Sequence, residues 1–420
     1  MSHAIDIESA ATAPWSGVTL VDLFQGSANL NGQALAFAEP VTSGGRITRR
    51  TYAEAAATID GLVHRLEEIG LARGSRILVA LGGTIEAPLA LLAILKAGYV
   101  PCLLPVWLQP ETLLEALQAS GAKAIVTVGA LGRLRPAEIM RAAAAAPDGP
   151  RYVLAFGDRL PAGVIPLSDT LIRSVDTGFH IPFDAPDGAP APILTLDVRP
   201  SGARWIEHDQ EALAAAALGM VTQCGLGSAE PILSTLAPVS AAALCTGLIP
   251  ALLTGATLHL HGVFDAATLL LQLGMMVKPH LVAPAGLEQS LQQAGLLGTE
   301  TLSSTVLLHR PPARLDQRDR LRRRESPVID AVALGEHAML LGARTSEGLP
   351  GLALDAVRLP DEPDGALILE ARAGPGERIE VRGAAVSGFE DGGARTGLAW
   401  IPTGHAVRAE RGRILQVDPA

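Results

Sequence analysis

Aromatic residues make up only 3% of the 420 positions, too few for the stacked-ring platforms that hold single-stranded nucleic acid. The net charge of −10 at pH 7 argues against a general nucleic-acid or anionic-membrane binder. Cysteine is also scarce. Cys102, Cys224 and Cys245 lie far apart with no Cys-x-x-Cys spacing, and the odd count fits reduced thiols in the cytoplasm. The first residues, Met1 to Pro14, carry Asp6 and Glu8 and no apolar core, so they do not read as a secretory signal. From Ile232 to Phe264 there is no Asp, Glu, Lys or Arg, a length sufficient for a bilayer. Pro238, Gly247, Pro250 and Gly255 interrupt that stretch, and Ser240, Thr246 and Thr254 add polarity. It therefore predicts a buried strand, helix and strand rather than a membrane span.

What is abundant is aliphatic: 48% of residues are hydrophobic, enough for a large core spread over two or three subdomains. Thr51-Tyr52-Ala53-Glu54 is a capping box, and Ile59, Leu62, Val63, Leu66 and Ile69 follow at helical spacing up to Gly70. Short apolar strands are expected at 76–81, 99–104 and 124–128, with helices at 84–97 and 111–119 between them. Such alternation means parallel βαβ units with helices on both sheet faces. The pattern returns at 193–196 and recurs at 232–236, 256–261, 280–283, 305–308 and 328–332. Past Gly342, period-two runs at 366–370, 378–382 and 413–417 sit between Gly- and Pro-rich turns. The expected fold is α/β: two parallel-sheet βαβ subdomains, 1–190 and 191–340, and a small antiparallel β-barrel-like subdomain, 341–420.

Three constellations need weighing. Seven arginines between Arg310 and Arg324, interrupted by Asp316, Asp319 and Glu325, read as a solvated helix face. His259 and His261 share one face of a strand and, with His280 or His309, would be needed for a zinc site, but no third ligand stands at a telling spacing. His208 with Asp209 and Ser201 hints at a hydrolytic triad without the Gly-x-Ser-x-Gly turn that would support one.

Several segments carry a family likeness. They are Thr51-Tyr52-Ala53-Glu54, the run Leu91 to Pro101, Thr254-Gly255-Ala256-Thr257 with Phe264-Asp265, the run Gly376 to Gly383 with Gly388-Phe389, and Trp400-Ile401-Pro402-Thr403-Gly404-His405. In order and spacing, over roughly residues 20–418, the chain resembles the large domain of the adenylate-forming enzymes: acyl-CoA synthetases, luciferases and peptide-synthetase adenylation domains. The resemblance implies ATP and Mg²⁺ as cofactors and an acyl or aryl carboxylate as substrate. It also implies a further small domain whose lysine assists adenylation. No counterpart of that domain is read before Ala420, so the expectation is that a separate chain would have to supply it.

The chemical motifs depart from the family's. A Gly-rich phosphate loop with a lysine is expected after 193–196, because backbone N–H groups cradle phosphate there. Asp197 to His208 offers one glycine, no lysine, and Pro200 without an N–H, leaving Ser201, Arg199 and Arg204 as the groups able to meet phosphate. The aromatic-Gly segment ending in Thr-Glu becomes Val332 to Glu336, where Glu336 keeps the register of the Mg²⁺ ligand. The small-residue adenine loop becomes Leu308-His309-Arg310-Pro311-Pro312. The family's ribose-binding aspartate after Thr403-Gly404 is His405. A neutral imidazole has one acceptor nitrogen where a carboxylate accepts both ribose hydroxyls. The loss is on the order of 2–5 kcal/mol, roughly thirty- to several-thousand-fold in affinity. An aromatic-histidine pair lining the acyl pocket becomes Val239-Ser240, which reads as helix packing. The expectation is a degenerate, non-adenylating member, a pseudoenzyme that binds an acyl or aryl group or docks to a carrier protein or a separate synthetase subunit. The alternative is an unusual AMP-forming ligase in which Arg204, Glu336, Thr403 and His405 hold ATP and the missing domain acts in trans.

Overall fold

The computed structural model describes residues 17–40, 49–146, 149–171, 190–199, 202–228, 230–358, 366–387 and 399–420. Three sheets organise them. The first has seven strands in the order Ile165–Pro166, Tyr152–Phe156, Ala124–Val128, Arg76–Ala80, Val100–Leu103, Ile193–Arg199 and Gly202–His208. All neighbours are parallel except the last pair, which forms a hairpin. The second has eight strands, with Val328–Leu334, Ser304–His309, His280–Pro284, Ile232–Ser234, Leu258–Leu260 and Leu35–Ala38 running parallel. Ala338–Ala343 and Arg49–Thr51 close its two edges antiparallel. The third sheet is antiparallel throughout: Ala313–Arg314, Arg413–Pro419, Ile401–Glu410, Arg378–Arg382, Leu367–Ala373 and Ala356–Arg358. The parallel α/β architecture with a small β-rich unit is thus as the sequence pattern predicts.

Local rules explain the elements. Thr51 accepts from the Glu54 N–H while Glu54 accepts from the Thr51 N–H, so the helix Tyr52–Glu67 opens with both bonds of the capping box. The helix Glu86–Lys96 is apolar nearly all round and accordingly buried. Its Lys96 ammonium lies 2.5 Å from Asp60, also buried, and such a pair is costly to break on one side only. The uncharged stretch from Ile232 folds as strand, helix with a π segment at Leu244–Leu248, and strand. Among the described residues no helix is long and apolar enough to cross a membrane.

The main core joins the facing layers of the first two sheets, with Leu78, Leu92, Leu103, Val126 and Ile249 fully buried. A second cluster packs the third sheet against Val332, Leu334 and the helix Gln210–Cys224. A third, with Leu273, Leu291, Leu307 and Leu321, covers the other face of the second sheet.

The arginine run departs from expectation. It is not helical: after the short strand Ala313–Arg314 it proceeds in turns. Its side chains reach distant carboxylates instead, Arg314 to Asp418 at 2.5 Å and Arg318 to Glu288 at 3.4 Å. The Asp316 carboxylate within the run pairs with Arg408. Long-range ion pairs and Pro311-Pro312 thus override the helical spacing.

Candidate functional site

The hairpin Ile193–Arg199/Gly202–His208 and two glycine turns meet at one place. Its ladder continues to the Arg199–Gly202 pair. The segment read as a phosphate loop is therefore mostly strand, and its tip, with Ser201, lies outside the described residues.

Asp197 is buried at the end of the first strand and accepts from Arg199 Nε at 2.6 Å, with Arg204 Nε at 3.5 Å. Arg199 extends to both glycine turns. A Cβ on Gly404 would come within 2.9 Å of Arg199 Nη1, and one on Gly335 within 3.5 Å of Arg199 Nη2 and of Asp197 Oδ1. Both glycines have positive φ, +71° and +61°, which permits the turns and leaves room for the guanidinium.

Gly335 begins the turn between Val328–Leu334 and Ala338–Ala343 and puts Glu336 inward, 2% exposed. Glu336 Oε2 accepts from the Ala241 N–H at 2.7 Å, and Oε1 faces Arg310 Nη1 at 3.4 Å. Burial raises the Glu336 pKa; Arg310, the Ala241 N–H and Thr195 oppose that rise. The next residue, His337, donates Nδ1–H to the Ser387 carbonyl at 3.0 Å and so accepts at Nε2 from Arg204 Nη2 at 3.1 Å. His405 donates Nδ1–H to the Thr403 carbonyl at 3.0 Å. Burial lowers the pKa of both histidines, and Arg199 lowers them further. Thr403 donates its hydroxyl to the Ile379 carbonyl at 3.1 Å, within the third sheet.

The structure therefore brings Arg204, Glu336 and His405 into one region, tied together through Asp197, Arg199 and His337. Thr403 serves the adjoining strand. His337 went unnoticed in the sequence; its position directly after Glu336 in a tight turn was the available signal.

The pocket beside Glu336 is small. A cavity of about 20 Å³ is lined by Ala241, Ala242, Cys245, Met339 and Ala385, room for about one water. Ser240 caps its short helix by accepting from the Ala243 N–H at 3.3 Å, and Val239 is buried, in keeping with the packing role expected of that pair. The weighed histidines take separate partners, while Ser201 of the third constellation lies outside the described residues. His208 Nε2 meets Thr195 Oγ1 at 2.7 Å, His261 Nδ1 meets Gln272 at 2.6 Å, and His309 Nε2 meets Asp330 at 2.8 Å. His280 lies between Ser304 and Glu230. Among the described residues no three His, Cys, Asp or Glu side chains gather as a metal site would require.

Two parallel sheets and a small antiparallel sheet each contribute residues to one cleft. Residues 24–164 match the family model of AMP-binding enzymes, and the chain as a whole has the fold of acyl-CoA synthetase N-terminal domains. The N-terminal domain of FACL13 from Mycobacterium tuberculosis superposes with a TM-score of 0.69 at 18% identity, over 95% of this chain and 99% of that one. Mycobacterium smegmatis MbtA gives 0.69 at 19% identity, over 96% and 76%. A benzoate CoA ligase from Burkholderia xenovorans gives 0.70 at 15% identity, over 95% and 79%. No curated protein matches the chain by sequence.

Proposed function

We propose that this chain is a non-adenylating member of the fold, a pseudoenzyme that works by binding rather than by activating a carboxylate. The observation that carries this reading is the placement of Arg199 and Asp197 between Gly335 and Gly404. The protein's own guanidinium and carboxylate occupy the space between the turn of Glu336 and the turn of His405. A triphosphate there would have to displace Asp197, whose charge repels it, and break a pair at 2.6 Å.

The donor set also fits magnesium poorly. Glu336 spends both oxygens on protein donors, and its burial favours the neutral acid over the anion that a hard cation needs. His405 faces Arg199 and is held neutral, so it replaces the two-acceptor carboxylate with a single nitrogen. An acid the size of the benzoate named for the Burkholderia ligase exceeds the 20 Å³ cavity.

A docking surface lies outside the cleft. The helix Ala266–Met275 carries no charged residue, and Leu270, Leu271 and Met275 on it are exposed, with Phe264 and Val277 beside them. Such a surface suits a protein partner, for which a carrier protein or a separate synthetase subunit is the class that this fold recommends.

Titration calorimetry with Mg·ATP, paired with ATP–pyrophosphate exchange over a panel of carboxylic acids, tests the reading. The expected result is no heat and no exchange. Exchange catalysed by the isolated chain overturns it.

A further inference from the structure

Bordering the third core cluster, and sharing no residue with the cleft, a cavity of about 230 Å³ opens between Ala285–Gln292 and Gln317–Asp319. Its polar lining comes from Glu288, Gln289, Gln292, Gln317, Arg318 and Asp319. Glu288 is buried and already held by Arg344 Nη1 at 2.6 Å, so its charge is compensated from behind. Arg318 is not so well served. Its Nη1 reaches the Ala285 carbonyl and Glu288 Oε2, both at 3.4 Å, and its buried Nε has no partner. Gln292 Oε1 is likewise buried and unpartnered. A buried donor and a buried acceptor left unmatched cost free energy in the empty state, and a ligand supplying both complements recovers it.

The missing complements define the ligand. Arg318 requires an acceptor, best a planar carboxylate, which its guanidinium matches. Gln292 requires a donor, and Asp319 at the rim favours that donor being cationic. Gln289 and Gln317, both exposed at the rim, offer amides to either end. We propose that this cavity binds a free α-amino acid, its carboxylate on Arg318 and its ammonium toward Gln292 Oε1 and Asp319. The volume equals about eight waters at ~30 Å³ each, which suits a small ligand. The site stands independently of the proposed function, because neither Arg318 nor Gln292 touches the cleft.

The probes are the twenty L-amino acids, with L-lactate and L-serine methyl ester as comparisons, titrated by calorimetry to about 10 mM. At least one amino acid is expected to bind. Removing its carboxylate as the ester, or substituting Arg318→Gln, should weaken that binding about tenfold or more. Gln292→Leu should weaken it about three- to tenfold. Arg320→Gln, an exposed arginine that does not line the cavity, should leave it unchanged. Circular dichroism confirms that each variant is folded. Should Arg318→Gln fail to fold, a shift of the Gln292 side-chain amide resonances on titrating the unmodified protein carries the test. Water alone in the cavity, seen as no binding by any amino acid, overturns the proposal. Binding of lactate alone does so too, as does binding unaffected by both substitutions.

Discussion

Arg199 Nε donates to Asp197 Oδ2 at 2.6 Å, two residues back on the same strand, and this folds the guanidinium against the α-carbons of Gly335 and Gly404. The first prediction follows from that contact. Gly404→Ala forces a side chain into φ +71° and to within 2.9 Å of Arg199 Nη1. It should cost about 1–3 kcal/mol from the backbone alone, with the clash in addition. In a double-mutant cycle, Arg199→Ala should recover only the clash. Urea denaturation of the four proteins measures both parts.

Replacing His405 by the family's carboxylate should not create a nucleotide site. His405→Asp adds a second negative charge near Asp197 and leaves Arg199 between the two glycine turns. Calorimetry with Mg·ATP is expected to show no binding by this variant. Binding restored by the single substitution would mean that the ribose contact, not the filled cleft, limits affinity.

Asp330 should be among the least replaceable charges. It is fully buried and accepts from Arg344 Nε at 2.9 Å, Arg344 Nη2 at 3.0 Å and His309 Nε2 at 2.8 Å. Burial alone would raise its pKa, but His309 and Arg344 together bring it below the ordinary carboxylate value. Asp330→Asn takes from buried Arg344 one of its two carboxylate partners, Glu288 remaining at 2.6 Å, and should cost about 1–3 kcal/mol in urea denaturation.

Acidification should weaken the fold well above the carboxylate range. Burial lowers the pKa of His337 and His405, and brings His259 to about 4 with help from Arg49. A histidine depressed in the folded state stabilises it above the ordinary 6.5, and that stability is lost as pH falls toward the depressed value. Glu336 acts oppositely, since its raised pKa favours the fold below the ordinary 4.5 and loses that benefit as pH rises. Three histidines outweigh one glutamate, so the urea midpoint should fall between about pH 7 and about pH 5. His259→Gln should flatten the dependence.

The cysteines should be inert while the protein is folded. All three are buried, and burial pushes the thiol of Cys102 up to about 12 and of Cys224 to about 11, with Cys245 raised further still. Little thiolate exists near neutrality, so a chromogenic disulfide reagent should react only on adding denaturant.

What could be read in advance was local. The Thr51–Glu54 box is legible because both of its bonds close within three residues. The strand at 378–382 is legible because period-two alternation is a property of the strand itself. The arginine run misled because its partners, Glu288, Asp418 and Arg408's side of Asp316, lie far away along the chain. The site divides the same way. Glu336 and His405 stood out by register, whereas the Asp197–Arg199 plug depends on two glycine turns more than a hundred residues downstream, which no spacing within 193–208 announces.

The interleaved strands impose an order on biogenesis. Phe37 pairs in register with Leu258, so the second sheet cannot enclose the strand Leu35–Ala38 until the ribosome has delivered the polypeptide past that point. Until then the strand has only Arg49–Thr51 beside it, and its other edge stays open, the circumstance in which a nascent chain is prone to aggregate.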